Sequence, residues 1–186
     1  MSLPTPFGRI VESRRSIRKY LPQPVEREKI EACLEAARLA PSAENAQSGR
    51  YIVIDEPEIK AKFAQRVFSG IYSATKFAAE APVLILILAK INFVTHRAGQ
   101  TVQGIPFYVL DIGIGGEHLV LQAEELGLGT CWIGWFDVRA ARRFFKIPRR
   151  YKIVSLISLG YAARRPPNER VRKPKEAIAW WNRFEG

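Results

Sequence analysis

Pro82-Val83-Leu84-Ile85-Leu86-Ile87-Leu88 places six consecutive aliphatic residues behind a proline. No polar residue alternates with them, so the run reads as a strand buried on both faces. Proline suits its start, where a missing ladder donor costs least. Three further segments share this β-rich character. Tyr51-Ile52-Val53-Ile54 is bounded by Gly49 and Pro57, Thr130-Cys131-Trp132-Ile133 follows Gly127 and Gly129, and residues 152–161 form another buried run.

A strand hidden on both faces needs a layer on each side, and the intervening segments read as helices. Residues 26–39 put Ile30, Cys33, Leu34 and Ala37 at helical spacing, between Pro24 and the stop at Pro41. Residues 60–68, 74–80 and 138–146 read as shorter helices. Residues 111–126 make the most apolar helix, with Ile112, Leu119, Val120, Ala123 and Leu126 in register. Gly113, Gly115 and Gly116 near its start each cost about 1 kcal/mol relative to alanine, so something is expected to pack closely there. Residues 91–106 lack a period and read as a long loop of the kind that forms lids, and residues 177–184 as a short closing helix. The expected class is α+β, a three-layer α/β/α arrangement forming a single domain over residues 1–186.

Composition narrows the partners. Hydrophobic residues make up 47% and charged residues 25%, which excludes disordered and low-complexity classes. There are 29 Lys+Arg against 18 Asp+Glu, a net charge of +11 that favours anionic partners. Cys33 and Cys131 lie far apart without neighbouring histidines, so neither a disulfide framework nor a metal site is expected. Two reduced core thiols suit the cytoplasm, the expected compartment. The longest apolar run, residues 81–89, is too short to span a bilayer, and no membrane partner is expected.

Most familiar site patterns are missing. Residues 107–115 imitate a dinucleotide fingerprint, but His118 stands where the third glycine belongs. There is no Walker A sequence, and neither His96 nor His118 has triad or metal spacing. If the chain is an enzyme, the reactive group is therefore expected to come from a cofactor. Three basic clusters stand out. Arg14, Arg15, Arg18 and Lys19 surround Ser16, and Arg164, Arg165, Arg170, Arg172, Lys173 and Lys175 crowd the tail. Guanidinium forks and a hydroxyl in such short segments suit a phosphate. The third cluster, Arg139, Arg142, Arg143 and Lys146 continued by Arg149, Arg150 and Lys152, reads as a solvated helix face, with nucleic-acid contact the lesser reading. Pro41, Ser42, Ala43, Asn45 and Gln47 form a polar helix-to-strand loop that can read the edge of a flavin or nucleobase, or serve only as a connection.

Taken together, these segments resemble the nitroreductase family of FMN-dependent oxidoreductases. Arg14-Arg15-Ser16-Ile17-Arg18 resembles its Arg-x-Ser-x-Arg/Lys entry motif. Pro41-Ser42 with Asn45 and Gln47 is similar to its second flavin-contacting segment, and Gly127 to Gly134 to the segment lining the isoalloxazine. Leu159-Gly160-Tyr161, Arg172-Lys173-Pro174 and Trp180-Trp181 also fit. The resemblance implies a nitroreductase-like α+β fold with a central mixed sheet flanked by helices, and a homodimer with FMN at its interface. It implies NADH or NADPH as electron donor and a nitroaromatic, quinone or related acceptor, reached through flavin N5. A relative that cleaves flavin or removes halogens is one alternative, and a basic nucleic-acid-binding protein is the lesser one. The implied flavin-binding residues are Arg14, Arg15, Ser16, Arg18, Arg170 and Arg172 around the phosphate, ribityl chain and pyrimidine edge. Pro41, Ser42, Ala43, Asn45 and Gln47 come from the other subunit, and Ile133, Gly134 and Trp135 lie beside N5. The glycine-bearing helix is implied to lie in the dimer interface. Two departures bear on specificity: Ser48 and Gly49 follow Gln47, and Trp135 follows Gly134. Trp135 is expected either to shape the substrate slot or to turn into the core.

Overall fold

A computed structural model of the chain describes residues 5–91, 104–166 and 170–184. The order is α1 (Pro6–Ser13), α2 (Arg27–Arg38), a 3-10 turn (Ala43–Asn45), β1 (Gly49–Ile54), α3 (Pro57–Val67) and a 3-10 segment (Gly70–Glu80). Then follow β2 (Val83–Lys90), α4 (Phe107–Glu125), β3 (Gly129–Ile133), α5 (Val138–Phe144), β4 (Tyr151–Gly160) and a last 3-10 turn (Lys175–Ala177).

The four strands form one sheet in the order β1-β2-β4-β3. Strand β2 sits inside it, and its continuous apolar run serves two cores. Leu84, Leu86 and Leu88 face Phe63, Val67, Ile133 and Ala141 under α3 and α5. Val83, Ile85, Ile87 and Ala89 face Cys33, Ile112, Leu119 and Ala123 under α2 and α4. That is the three-layer α+β arrangement. The sheet was expected to be mixed, yet its described strand pairs are all antiparallel. Strands β2 and β3, linked through α4, do run in the same direction, but β4 inserts between them. Parallel pairing survives as an isolated bridge between Ser16 and Thr130.

The close packing expected at the glycines of α4 is present: Gly116 lies against the Trp132 indole and Gly115 against the Tyr51 hydroxyl and Ala37, while Gly113 is open. Two other readings change. Residues 177–184 form a turn and bends instead of a helix. Helix α1, which the sequence did not suggest, starts on Thr5, whose hydroxyl accepts from the Gly8 amide at 3.0 Å. The suggested lid at residues 91–106 lies largely outside the described residues.

Candidate functional site

Arg14 ends α1, and the chain then runs extended along the edge of β3. The Ile17 amide donates to the Thr130 carbonyl at 2.8 Å. An added Cβ on Gly129 would lie 2.6 Å from the Ile17 side chain, so glycine is what lets this strip close on the sheet. Ile17 is fully buried, and with a period of two Ser16 and Arg18 project the opposite way. The basic side chains thus lie on a rigid edge. Arg15 differs: it is buried, and its Nη1 donates to the carbonyls of Glu12 (2.6 Å), Ser13 (3.1 Å) and Arg14 (2.8 Å), closing the end of α1. It contributes charge to the site and spends that nitrogen on the backbone.

The tail returns to the same place. Arg170 Nη2 donates to the carbonyls of Val11 at 2.7 Å and Glu12 at 2.5 Å. Burial holds the Arg170 guanidinium below its ordinary pKa, and the cations of Arg15, Arg14 and Arg172 push it further down. Glu124 opposes them, although its buried carboxylate is taken by Arg165 at 2.6 Å, and Glu117 reaches Arg14 only at 3.8 Å. The three guanidinium groups crowded against Arg170 form with it a cradle of positive charge that an anion would relieve. A phosphate fits that donor set, and Arg14, Ser16, Arg170 and Arg172 are the residues that would hold it. Beside it a cavity of ≈ 250 Å³ is lined by Ser16, Arg18, Lys19, Arg164 and Pro166, and the Arg18 guanidinium lies 5.8 Å from the centre of the Phe77 ring.

The loop at residues 41–48 is held under strain. Glu44 (φ 52°), Asn45 (φ 52°) and Gln47 (φ 45°) are all left-handed without being glycine, each at a cost of about 1–2 kcal/mol. Such strain persists only where the surroundings impose it. Here Ser42 Oγ accepts from the Gln47 amide at 2.9 Å, and the Gln47 side chain donates to Asn45 Oδ1 at 3.2 Å. Asp111 of α4 closes the loop, accepting from the Ala43 amide and the Ser48 hydroxyl, both at 2.9 Å. A second cavity, of ≈ 170 Å³, is lined by Pro41, Ser42, Gln47, Asp111 and neighbours.

These two constellations do not meet within the chain. Their cavities share no lining residue. Asp111 and Glu117 hold them at different levels of α4, about 9 Å apart along its axis. The structure brings Arg14, Arg15, Arg170 and Arg172 together; it leaves Ser42, Asn45 and Gln47 on a separate surface.

Strand β3 ends at buried Ile133, and Gly134 beyond it has open space where a side chain would be. Trp135 is 54% exposed, so it does not turn into the core. Its indole N–H donates to the Ile71 carbonyl at 2.9 Å, its ring lies 5.3 Å from that of Tyr72, and its carbonyl accepts from Thr75 Oγ1 at 2.7 Å. Sequence reasoning missed Asp111, Glu117 and Tyr72 as site residues. A carboxylate within an apolar helix was the available signal for Asp111, since a buried acid needs partners. Burial pushes both thiols up, Cys33 to about 12, so neither is a poised thiolate at neutral pH. Among the described residues no group of His, Cys, Asp or Glu could hold a metal ion, and no helix is long and apolar enough to cross a membrane.

An α+β sheet with a guanidinium cradle at its edge defines a class of protein that binds a phosphate-bearing cofactor. Comparison with known proteins sharpens this. The sequence profile of the nitroreductase family matches residues 11–161. A Methanothermobacter thermautotrophicus protein, provisionally named NADH dehydrogenase/NAD(P)H nitroreductase, is 32% identical over 161 residues, covering 84% of this chain and 77% of the relative. The FMN reductase [NAD(P)H] of Bacillus subtilis is 27% identical, over 88% of this chain and 68% of that protein. The structure of an FMN-dependent nitroreductase from Clostridium difficile R20291 superposes with a TM-score of 0.72 at 29% identity, covering 94% of this chain and 98% of that one. The chain belongs to the nitroreductase family.

Proposed function

We propose that this chain is an FMN-dependent NAD(P)H oxidoreductase, passing reducing equivalents to a quinone, nitroaromatic or related acceptor. The arginine cradle carries the reading. The charges of Arg14 and Arg172 act directly on Arg170, and the one carboxylate paired with Arg14, Glu117, lies at a long 3.8 Å, so the group suits a phosphate monoester. FMN, when bound, supplies hydride acceptance and donation at N5. The chain's own residues anchor its phosphate, set Arg18 as a positive charge toward its pyrimidine edge, and leave the open surface at Gly134 for the reacting ring.

The separation of the two half-sites supports a homodimer, in which Pro41, Ser42, Ala43, Asn45 and Gln47 of one chain face the cradle of the other. Apolar surface supports it too. Val109, Leu110 and Ile114 on the outer face of α4 are 40–50% exposed, and Val171, Trp181 and Phe184 of the tail are 77–97% exposed. Full burial of such a side chain from water gains about 1.5–3 kcal/mol, and the half-exposed residues of α4 would gain about half of that each.

Protein purified without added flavin should be yellow and release FMN on heating, with a dimer in sedimentation. Ile114→Arg should then yield a monomer poor in flavin. Colourless protein that takes up no FMN on titration would sink the cofactor reading, and a flavin-replete monomer would sink the assembly.

A further inference from the structure

The basic face around α5 has no part in the flavin site, and the structure gives it properties that a merely solvated helix lacks. From residue 138 to residue 168 the sequence contains no Asp or Glu. Arg139, Arg143, Lys146, Arg149, Arg150 and Lys152 are all exposed. The ion pairs among the described residues use Arg14, Arg27, Lys29, Arg38, Lys62 and Arg165, and none uses a cation of this face. The nearest carboxylate in sequence, Asp137, caps α5 by accepting from the Ala140 amide at 2.8 Å. Arg142 is the exception that stiffens the patch: its guanidinium donates to the carbonyls of Ile147, Pro148 and Tyr151 at 2.9–3.0 Å, tying the helix end to the start of β4.

A second observation is independent of charge counting. Helix α5 ends in a Schellman turn, with the Ile147 amide on the Arg142 carbonyl at 3.0 Å and the Lys146 amide on the Arg143 carbonyl at 3.3 Å. Lys146 is the left-handed residue of that turn, at φ 50°. The backbone there favours glycine. The chain places a lysine instead and accepts the strain, which puts a further cation between Arg143 and Arg149.

We propose that this face binds the phosphate backbone of nucleic acid, without sequence preference. Arginine forks suit phosphodiester oxygens. The surface lacks what other partners need. Phe144, Phe145 and Tyr151 are half-buried in the core, and Val138, at 36%, is the one large hydrophobic of residues 137–160 among the exposed set. A membrane-seated helix presents an apolar face, and a protein interface has an apolar centre; this face has neither.

The test uses the protein as purified and a fluorescein-labelled DNA duplex of about 20 base pairs, followed by anisotropy across a salt series. The expected result is binding at about 50 mM salt that falls with a log–log slope of about −3 to −5. The combined variant Arg139→Gln, Arg143→Gln, Lys146→Gln should weaken binding at least about tenfold and reduce the slope by about 2–3, one phosphate contact per cation. Lys146→Gly separates function from structure: its Tm should rise by about 2–4 °C while duplex binding weakens. No binding at low salt, a triple variant that binds like the parent, or a Lys146→Gly protein that gains stability and keeps full affinity each overturns the proposal. So does capture by vesicles rich in phosphatidylserine in preference to the duplex.

Discussion

Asp111 and Ser48, 63 residues apart in sequence, meet at 2.9 Å between helix α4 and the strained polar loop, with both residues buried. The same carboxylate accepts from the Ala43 amide, so one side chain grips the loop at both ends. Two of the left-handed residues between those grips, Asn45 and Gln47, carry side chains implied to read the flavin. Asp111→Ala would leave the Ser48 hydroxyl and the Ala43 amide without their acceptor. Hydrogen bonds to a charged group contribute about 1.5–3 kcal/mol each, so losing both should lower stability by about 3–6 kcal/mol. Flavin affinity should drop along with it. Thermal unfolding and FMN titration of the same protein check both; an unchanged Tm would show that the loop holds itself.

The arginine cradle predicts a different pattern. Arg172 is exposed and, among the described residues, donates to the neighbouring Val171 carbonyl, and Arg14 meets Glu117 at a long 3.8 Å. Neither supports the fold much, so Arg14→Ala and Arg172→Ala should keep the parent Tm within about 2 °C. Each removes a charge-assisted contact to phosphate, so FMN affinity should fall by about one to two decades. Flavin occupancy after dialysis measures it. Arg170→Ala should behave otherwise, because Arg170 also ties the tail to α1 through the Val11 and Glu12 carbonyls.

What the sequence could announce was whatever rests on local pattern. The aliphatic run at 83–88 declared a strand buried on both faces because no polar residue interrupts it. The basic residues around Ser16 suggested a phosphate site because forks and a hydroxyl share one short segment, and the structure brings Arg170 and Arg172 to the same place. Long-range partnerships were silent. Nothing local in residues 107–115 says that Asp111 will reach Ser48, or that Gly116 makes room for the Trp132 indole. The glycines announced that something packs closely against α4, but not which residue it would be. Arg15 looked like its companions Arg14 and Arg18; only the path of α1 turns it inward. Strand direction was hidden for the same reason: alternating helices and strands do not reveal that β4 inserts between β2 and β3.

Alkaline pH should destabilise the fold. Burial raises the Cys33 thiol from 9.0 to about 12, and also raises Cys131, Tyr20 and Tyr51. A raised folded-state pKa means that the unfolded chain loses its proton first as pH climbs. The stabilising contribution is complete below about pH 9 and is lost as pH rises toward 12. Cys33 alone contributes a slope of at most about 1.4 kcal/mol per pH unit in that window. Urea midpoints taken from pH 8 to 11 should decline above 9, and less steeply in Cys33→Ala. A midpoint flat to pH 11 would contradict the burial of these groups.

Trp135 should govern which electron acceptors react. It follows Gly134, whose open surface is implied to lie beside N5, and its ring is exposed yet fixed by Ile71 and Tyr72. A fixed indole offers a flat stacking surface at little entropic cost, which suits planar acceptors and obstructs bulky ones. Because the indole is not in the core, Trp135→Gly should leave the fold and FMN content close to the parent. The ratio of kcat/KM between a small quinone and a bulky one should shift by about tenfold or more, which is about 1.4 kcal/mol of differential transition-state binding. Trp135→Phe keeps a ring but loses the hydrogen bond to Ile71, so it should fall between parent and glycine if stacking matters, and match glycine if the fixed orientation matters. Parallel loss of rate with every acceptor would place the effect on flavin reduction instead, and an unchanged ratio would remove Trp135 from the acceptor's path.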